Sequence, residues 1–141
     1  MSSVTVTAAD VRPLPGAIVR RFEAGETMTP GDLVFVASDA QVELADIDAA
    51  ASAQAIGIVV AGPQGKSSFV ATEWVDVVVF GPVTGFSSLT PGAMHYGSVT
   101  PGDIEAAAPG GSSGDYLWVV GFAESATTLF VRCWTPDLAA Q

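Results

Sequence analysis

The chain has 141 residues, 49% of them apolar and only 14% charged, and 15 acidic against 5 basic residues give a net charge of −10. This length suits one domain with a substantial core, and the acidic balance argues against nucleic acid and anionic membranes as partners, since both need clustered Lys and Arg. So thin a charge leaves much small and apolar side chain at the surface of a lone monomer, which points to contacts with other subunits.

Residues 1–15 read as an N-terminal arm, with no basic n-region of the kind a secretory signal carries. Ser2 to Thr7 alternates and can pair as a strand, whereas Pro13 and Pro15 around Leu14 give an extended segment short of ladder donors. Such a segment is either disordered or laid on a partner surface, and the second is expected for part of its length. Arg12, Arg20 and Arg21, three of the five basic residues, lie near this end; they read first as members of ordinary surface pairs, and alternatively they suit an acidic partner.

The expected strands begin with Ala17–Phe22. The first of three Thr-Pro-Gly tripeptides, Thr29-Pro30-Gly31, follows; Thr90-Pro91-Gly92 and Thr100-Pro101-Gly102 are the others. Proline presets φ for the second residue of a turn, and glycine supplies the positive φ that a type II turn needs next. Asp32–Ala37 and Gln41–Leu44 form a hairpin signature around Ser38-Asp39-Ala40. Asp46–Ala55 is the one helical candidate, with Asp46 or Asp48 as its cap and a run of alanines behind. Ile58–Val60, Phe69–Thr72 and Trp74–Phe80 are strand material, with a loop over 62–68 and a break at Gly81-Pro82. Val83–Phe86, Ala93–Tyr96, Asp103–Ala107, Tyr116–Ala123 and Thr128–Trp134 complete about ten short strands. Pro109–Gly114 reads as a flexible loop and 137–141 as a tail, leaving 16–136 as one domain. The expected fold class is all-β, a mainly antiparallel sandwich or barrel with one short helix and an extended N-terminal arm.

No constellation of catalytic groups stands out. The single cysteine, Cys133, sits in an apolar run and reads as a small buried hydrophobe. The single histidine, His95, lies between the second and third turns, a stretch expected at the surface, and no motif links it to a nucleophile. Asp46 and Asp48 lack the rest of a calcium loop. Glu73 and Asp76 flank Trp74, a grouping that suits sugar binding but reads more simply as the solvent face of a strand. The Gly110–Gly114 stretch lacks the lysine and helix of a phosphate loop. Trp74, Trp118 and Trp134 sit in separate strands, as core or contact residues or as an aromatic strip. No enzyme activity, cofactor or metal is expected.

One pattern resembles a known family. Pro30–Val36, then Leu44-Ala45-Asp46 with its alanine-rich stretch, then Ala55–Val59, the Gly/Ser loop, Val75–Val79 and Gly81-Pro82-Val83 are similar to tailed-phage capsid decoration, or cement, proteins of the lambda type. Leu89–Ala93, Val119–Ala123 and Thr127–Val131 resemble β modules of phage heads and tail fibres. The resemblance implies a homotrimer on the outer surface of a virion, made in the host cytoplasm and bound to a major capsid protein of the HK97 fold. It implies an N-terminal arm that adds to the capsid's strands, and the residues expected to bind there are Val4, Val6, Arg12, Leu14, Arg20 and Arg21. Nucleic acid and membrane are not expected partners. A receptor- or carbohydrate-binding module of a head or tail fibre is the alternative.

Overall fold

The computed structural model describes residues 4–108 and 115–134. The expected flexible loop at 109–114 and the tail at 137–141 lie outside the described residues, as does the side chain of Trp134. All three Thr-Pro-Gly sequences form the expected turns. Gly31, Gly92 and Gly102 have φ of +99°, +86° and +83°. In each turn the residue after glycine donates its N–H to the threonine carbonyl, at 3.1, 3.0 and 3.1 Å for Asp32, Ala93 and Asp103. The first and third turns lie together, for the Leu33 N–H donates to the Gly102 carbonyl at 2.9 Å.

These reversals fold the chain into twelve strands among the described residues: β1 (Thr5–Val6), β2 (Arg12–Pro13), β3 (Ile18–Glu23), β4 (Leu33–Val36), β5 (Val42–Leu44), β6 (Gly57–Val59), β7 (Trp74–Thr84), β8 (Phe86–Ser87), β9 (Met94–Gly97), β10 (Ile104–Glu105), β11 (Val119–Ala123) and β12 (Thr128–Trp134). The fold is all-β, with curled antiparallel sheets. The main sheet runs β10-β9-β11-β12-β7-β6-β4-β5, with β2 and β3 also on β7, while β1 and β8 form a separate pair. The 33–44 hairpin forms as expected, with Val34 opposite Leu44 and Val36 opposite Val42. Phe69–Thr72 does not form a strand of its own; it contributes one bridge, Phe69 to Met28.

Strand β7 organises the rest. It does not break at Gly81-Pro82, as the sequence suggested, but continues to Thr84. Its first half pairs with β3 and β6, its second with β2 and β12. Gly81, at φ +113°, carries the chain through the change of partners, and a Cβ there would lie 2.6 Å from the Ala17 Cα. Pro82 sits opposite Phe130, where β7 no longer has β3 alongside it.

Alternation along β4, β6 and β7 supplies two cores. Leu33, Ile58 and Val78 join Val83, Ile104, Val120, Leu129 and Val131 in the larger one. Val34, Val59, Val75 and Val77 join Met28, Val42 and Phe69 in the smaller. Side chains of a strand point alternately to opposite faces, so a strand buried on both sides reads as continuous Val and Ile. Each such side chain contributes about 1.5–3 kcal/mol when fully buried.

The helix is shorter than expected: α1 covers only Ala50–Ala53. Asp46 does not cap it. Its carboxylate accepts from the Ser52 hydroxyl at 2.9 Å and from the Asp48 N–H at 3.3 Å, a local turn that competes with helix. Ile47 is fully buried, its N–H donating to Ser98 and its carbonyl accepting from Tyr116. Both bonds tie this stretch to neighbouring segments before a helix can begin.

The N-terminal segment forms a strand where its alternation allows one, at Thr5–Val6, and the partner of that strand lies in the same chain. From Val4 onward it folds onto its own domain. Val4 donates to the Ile104 carbonyl and Thr7 to that of Gly85, each at 2.9 Å. β1 pairs with β8, and Val4 and Val6 pack against the larger core. Val11 is completely buried within that core. Gly85, at φ +108°, permits its approach; a Cβ there would stand 2.6 Å from the Val11 Cα. Truncation of Val11 to alanine is expected to lower unfolding free energy by about 2 kcal/mol, read as a lower urea midpoint at unchanged slope. A free arm would give no shift.

Candidate functional site

The six residues expected to bind a partner separate into two groups. Val4 and Val6 turn toward the core, and half-buried Leu14 donates its N–H to the Pro82 carbonyl at 3.0 Å. Arg12, Arg20 and Arg21 are exposed instead, on β2 and β3. Both strands pair with β7 and with no other strand among the described residues. Their far sides therefore form an edge of the sheet. Arg21 Nε lies 3.1 Å from Asp76 Oδ1, an exposed pair of small energetic weight. No ion pair holds Arg12 or Arg20 among the described residues.

The exposed apolar side chains cluster on the same ribbon. Ile18 and Val19 on β3 and Trp74 and Phe80 on β7 are four of the eight large apolar residues exposed among the described residues. Ile18 stands opposite Phe80 and Glu23 opposite Trp74. From Phe80 an aromatic row runs on across the sheet. Its ring meets Phe130 edge-on at 5.1 Å, and Phe130 stacks on Phe122 at 5.3 Å. Met94, opposite Phe122, ends the row. Sequence reading missed it, because Phe80, Phe122 and Phe130 are neighbours only after three strands are assembled.

His95 is not at the surface. β9 lies between β10 and β11, and the imidazole is fully buried. Nδ1 lies 3.0 Å from the Ala93 carbonyl. A carbonyl can only accept, so Nδ1 carries the hydrogen and Nε2 the lone pair. Nε2 has no hydrogen-bond partner among the described residues. A cleft of about 230 Å³ over this position is bordered by Val4, Thr5, Ser87, Thr90 and His95 and carries no charged side chain. Burial lowers the pKa of His95, with the Ala93 bond opposing.

Cys133 packs against the larger core. Burial pushes its thiol pKa up to about 12, a hydrogen bond with Trp118 working against the shift. This is an inert thiol, not an activated nucleophile. Trp118 is half-buried and donates its Nε1–H to the Ala55 carbonyl at 3.2 Å. Trp74, in contrast, is 59% exposed, so the two do not form one strip. Beside Trp74, Glu73 is held by Lys66 at 2.8 Å, and its carboxyl is lowered by the Lys66 and Val70 hydrogen bonds. Asp48 is raised by its neighbour Asp46. Among the described residues no group of three or more His, Cys, Asp or Glu is placed to hold a metal ion, and no helix is long and apolar enough to cross a membrane.

No protein-family model matches this chain, and comparison with curated proteins finds no match.

Two outcomes are expected. Native protein at pH 8 should leave Cys133 unmodified by Ellman's reagent over the time in which urea-unfolded protein reacts fully; rapid native labelling would contradict the buried thiol. His95 has a folded pKa below its ordinary value near 6.5. Above that value both states are neutral, and below it the unfolded chain takes up the proton first. Stability should therefore fall as pH drops from about 6.5 toward the folded pKa. Urea titrations of the native protein and of His95→Gln across that window would reveal it as a steeper loss of stability in the former.

Proposed function

We propose that this chain is a structural virion protein that decorates the outer surface of a tailed-phage capsid as a homotrimer and stabilises the shell. The observation that carries this reading is the convergence of the segments resembling decoration proteins. Residues 30–36, 55–59 and 75–83 are distant in sequence, yet β4, β6 and β7 are hydrogen-bonded neighbours sharing both cores. Two further features support it. The Phe80–Phe130–Phe122 row offers an apolar sheet face to neighbouring subunits. The β2–β3 edge offers backbone groups for strand addition.

This alters the attachment that the resemblance implies. Residues 4–13 are committed to the domain's own sheets and core, so strand addition in this folded state uses the β2–β3 edge. A protein that binds only the assembled shell stabilises that shell by linkage, by about 2.7 kcal/mol per site at a free concentration of 100 Kd.

Light scattering should give a mass three times that of the 14.3 kDa chain. In ultracentrifugation the protein should co-sediment saturably with undecorated HK97-fold capsids and raise the temperature at which they release DNA. A monomer that fails to co-sediment overturns the proposal.

Trp74 favours a second reading, a carbohydrate-binding module. It is 59% exposed, and Glu73 and Asp76 flank it; an exposed ring of this kind presents a large amphipathic contact surface. Glycan-array binding by the native protein that Trp74→Ala abolishes would support this reading over the first.

A further inference from the structure

We infer that the open edge formed by β2 and β3 is a docking site for an extended, acidic strand of another protein, with Arg20 as its principal charge contact. This rests on the edge to which the capsid reading assigns strand addition and adds the chemistry of the strand it takes.

Three observations combine here. The first is backbone. β2 and β3 pair with β7 alone, and none of the cross-chain backbone bonds of the described residues reaches β3 from its other side. β3 in that position presents unpaired N–H and C=O groups, which a further strand satisfies, whereas Pro13 of β2 has no N–H to offer. The second is apolar exposure. Ile18 is 53% and Val19 40% exposed, and Phe80, opposite Ile18, is 42% exposed. An added strand with alternating apolar residues would cover them.

The third is charge, and it selects the occupant. The chain carries −10 with only five basic residues, and three of those, Arg12, Arg20 and Arg21, lie along this one edge. Arg21 is engaged by Asp76, whereas Arg20 and Arg12 are in no ion pair among the described residues. Guanidinium groups on an edge match carboxylates on an incoming strand. A second copy fits less well. Two β3 strands paired antiparallel about Arg20-Arg21 set arginine against arginine, and like charges directly opposite each other are destabilising. Charged residues on an edge also serve to keep strands apart, and the test below separates that role from docking.

The probes are two synthetic peptides: acetyl-Thr-Val-Glu-Val-Asp-Val-Thr-amide and its counterpart with lysine at both acidic positions. Binding to the full chain is followed by amide chemical shifts and by hydrogen exchange of β3. The acidic peptide should shift and protect amides of residues 18–23, bind at least tenfold more tightly than the lysine peptide, and weaken as the Debye length is cut from about 30 to 8 Å with salt. Arg20→Glu, an exposed change that leaves both cores intact, should invert the preference, so that the lysine peptide binds the variant more tightly. The inference fails if neither peptide protects β3. It fails equally if both protect it alike, or if β3 becomes protected with rising protein concentration alone, which would make a second copy the occupant. Peptide binding reports on the edge and co-sedimentation with capsids on the virion role, so a failure of one is distinguishable from a failure of the other.

Discussion

Everything in this fold depends on burying both faces of one long strand. β7 has Val75 and Val77 in the smaller core and Val78 and Val83 in the larger. Each half of the strand also has hydrogen-bonded neighbours on two strands, β3 and β6 for the first, β2 and β12 for the second. Backbone groups in so dry a position must be paired, so the four neighbouring strands are held in register by β7. The change of partners at Gly81-Pro82 lets one strand serve two sheet regions. A helix over the same residues could not do this, because its backbone bonds are internal.

The N-terminal segment follows from the same requirement. The larger core, built from β4, β6, β7, β10, β11 and β12, includes Val11, and Val4 and Val6 pack against it. Residues that read as an arm are thus part of that packing. A segment whose backbone bonds Ile104, Gly85 and Pro82 is engaged within its own domain, while the outer sides of β2 and β3 have no strand neighbour among the described residues. Arg12, Arg20 and Arg21 are exposed on those strands.

The three type II turns show a division of labour between local and distant forces. Proline and glycine set the reversal without help from the rest of the molecule. What the turn touches is a tertiary matter: Asp32, in the first turn, is half-buried beside the third. Burial raises its carboxyl pKa first, hydrogen bonds from Thr29 hold it down, and the nearby Asp103 and Glu26 add to the rise. His95 illustrates the same point. A polar residue between two turns reads as a surface residue, but its strand ended up inside a sheet, where no described group meets Nε2.

The sequence by itself determined the class of fold, the positions of the turns and most of the strands, because turn chemistry and β-branched runs act over a few residues. It also determined that Cys133 would be a packing residue, since an apolar strand surrounds it. Tertiary structure alone decided that Asp46–Asp48 make a turn and not a helix cap, that β7 runs on past Gly81-Pro82, and that the N-terminal segment packs against the core. It alone brought Phe80, Phe122 and Phe130 into one row and left the arginines of β2 and β3 on an open edge. The reason is that a local pattern specifies whether a residue extends or turns. Which strand it then meets, and which edge is left without a neighbour, depends on contacts between residues far apart in the chain.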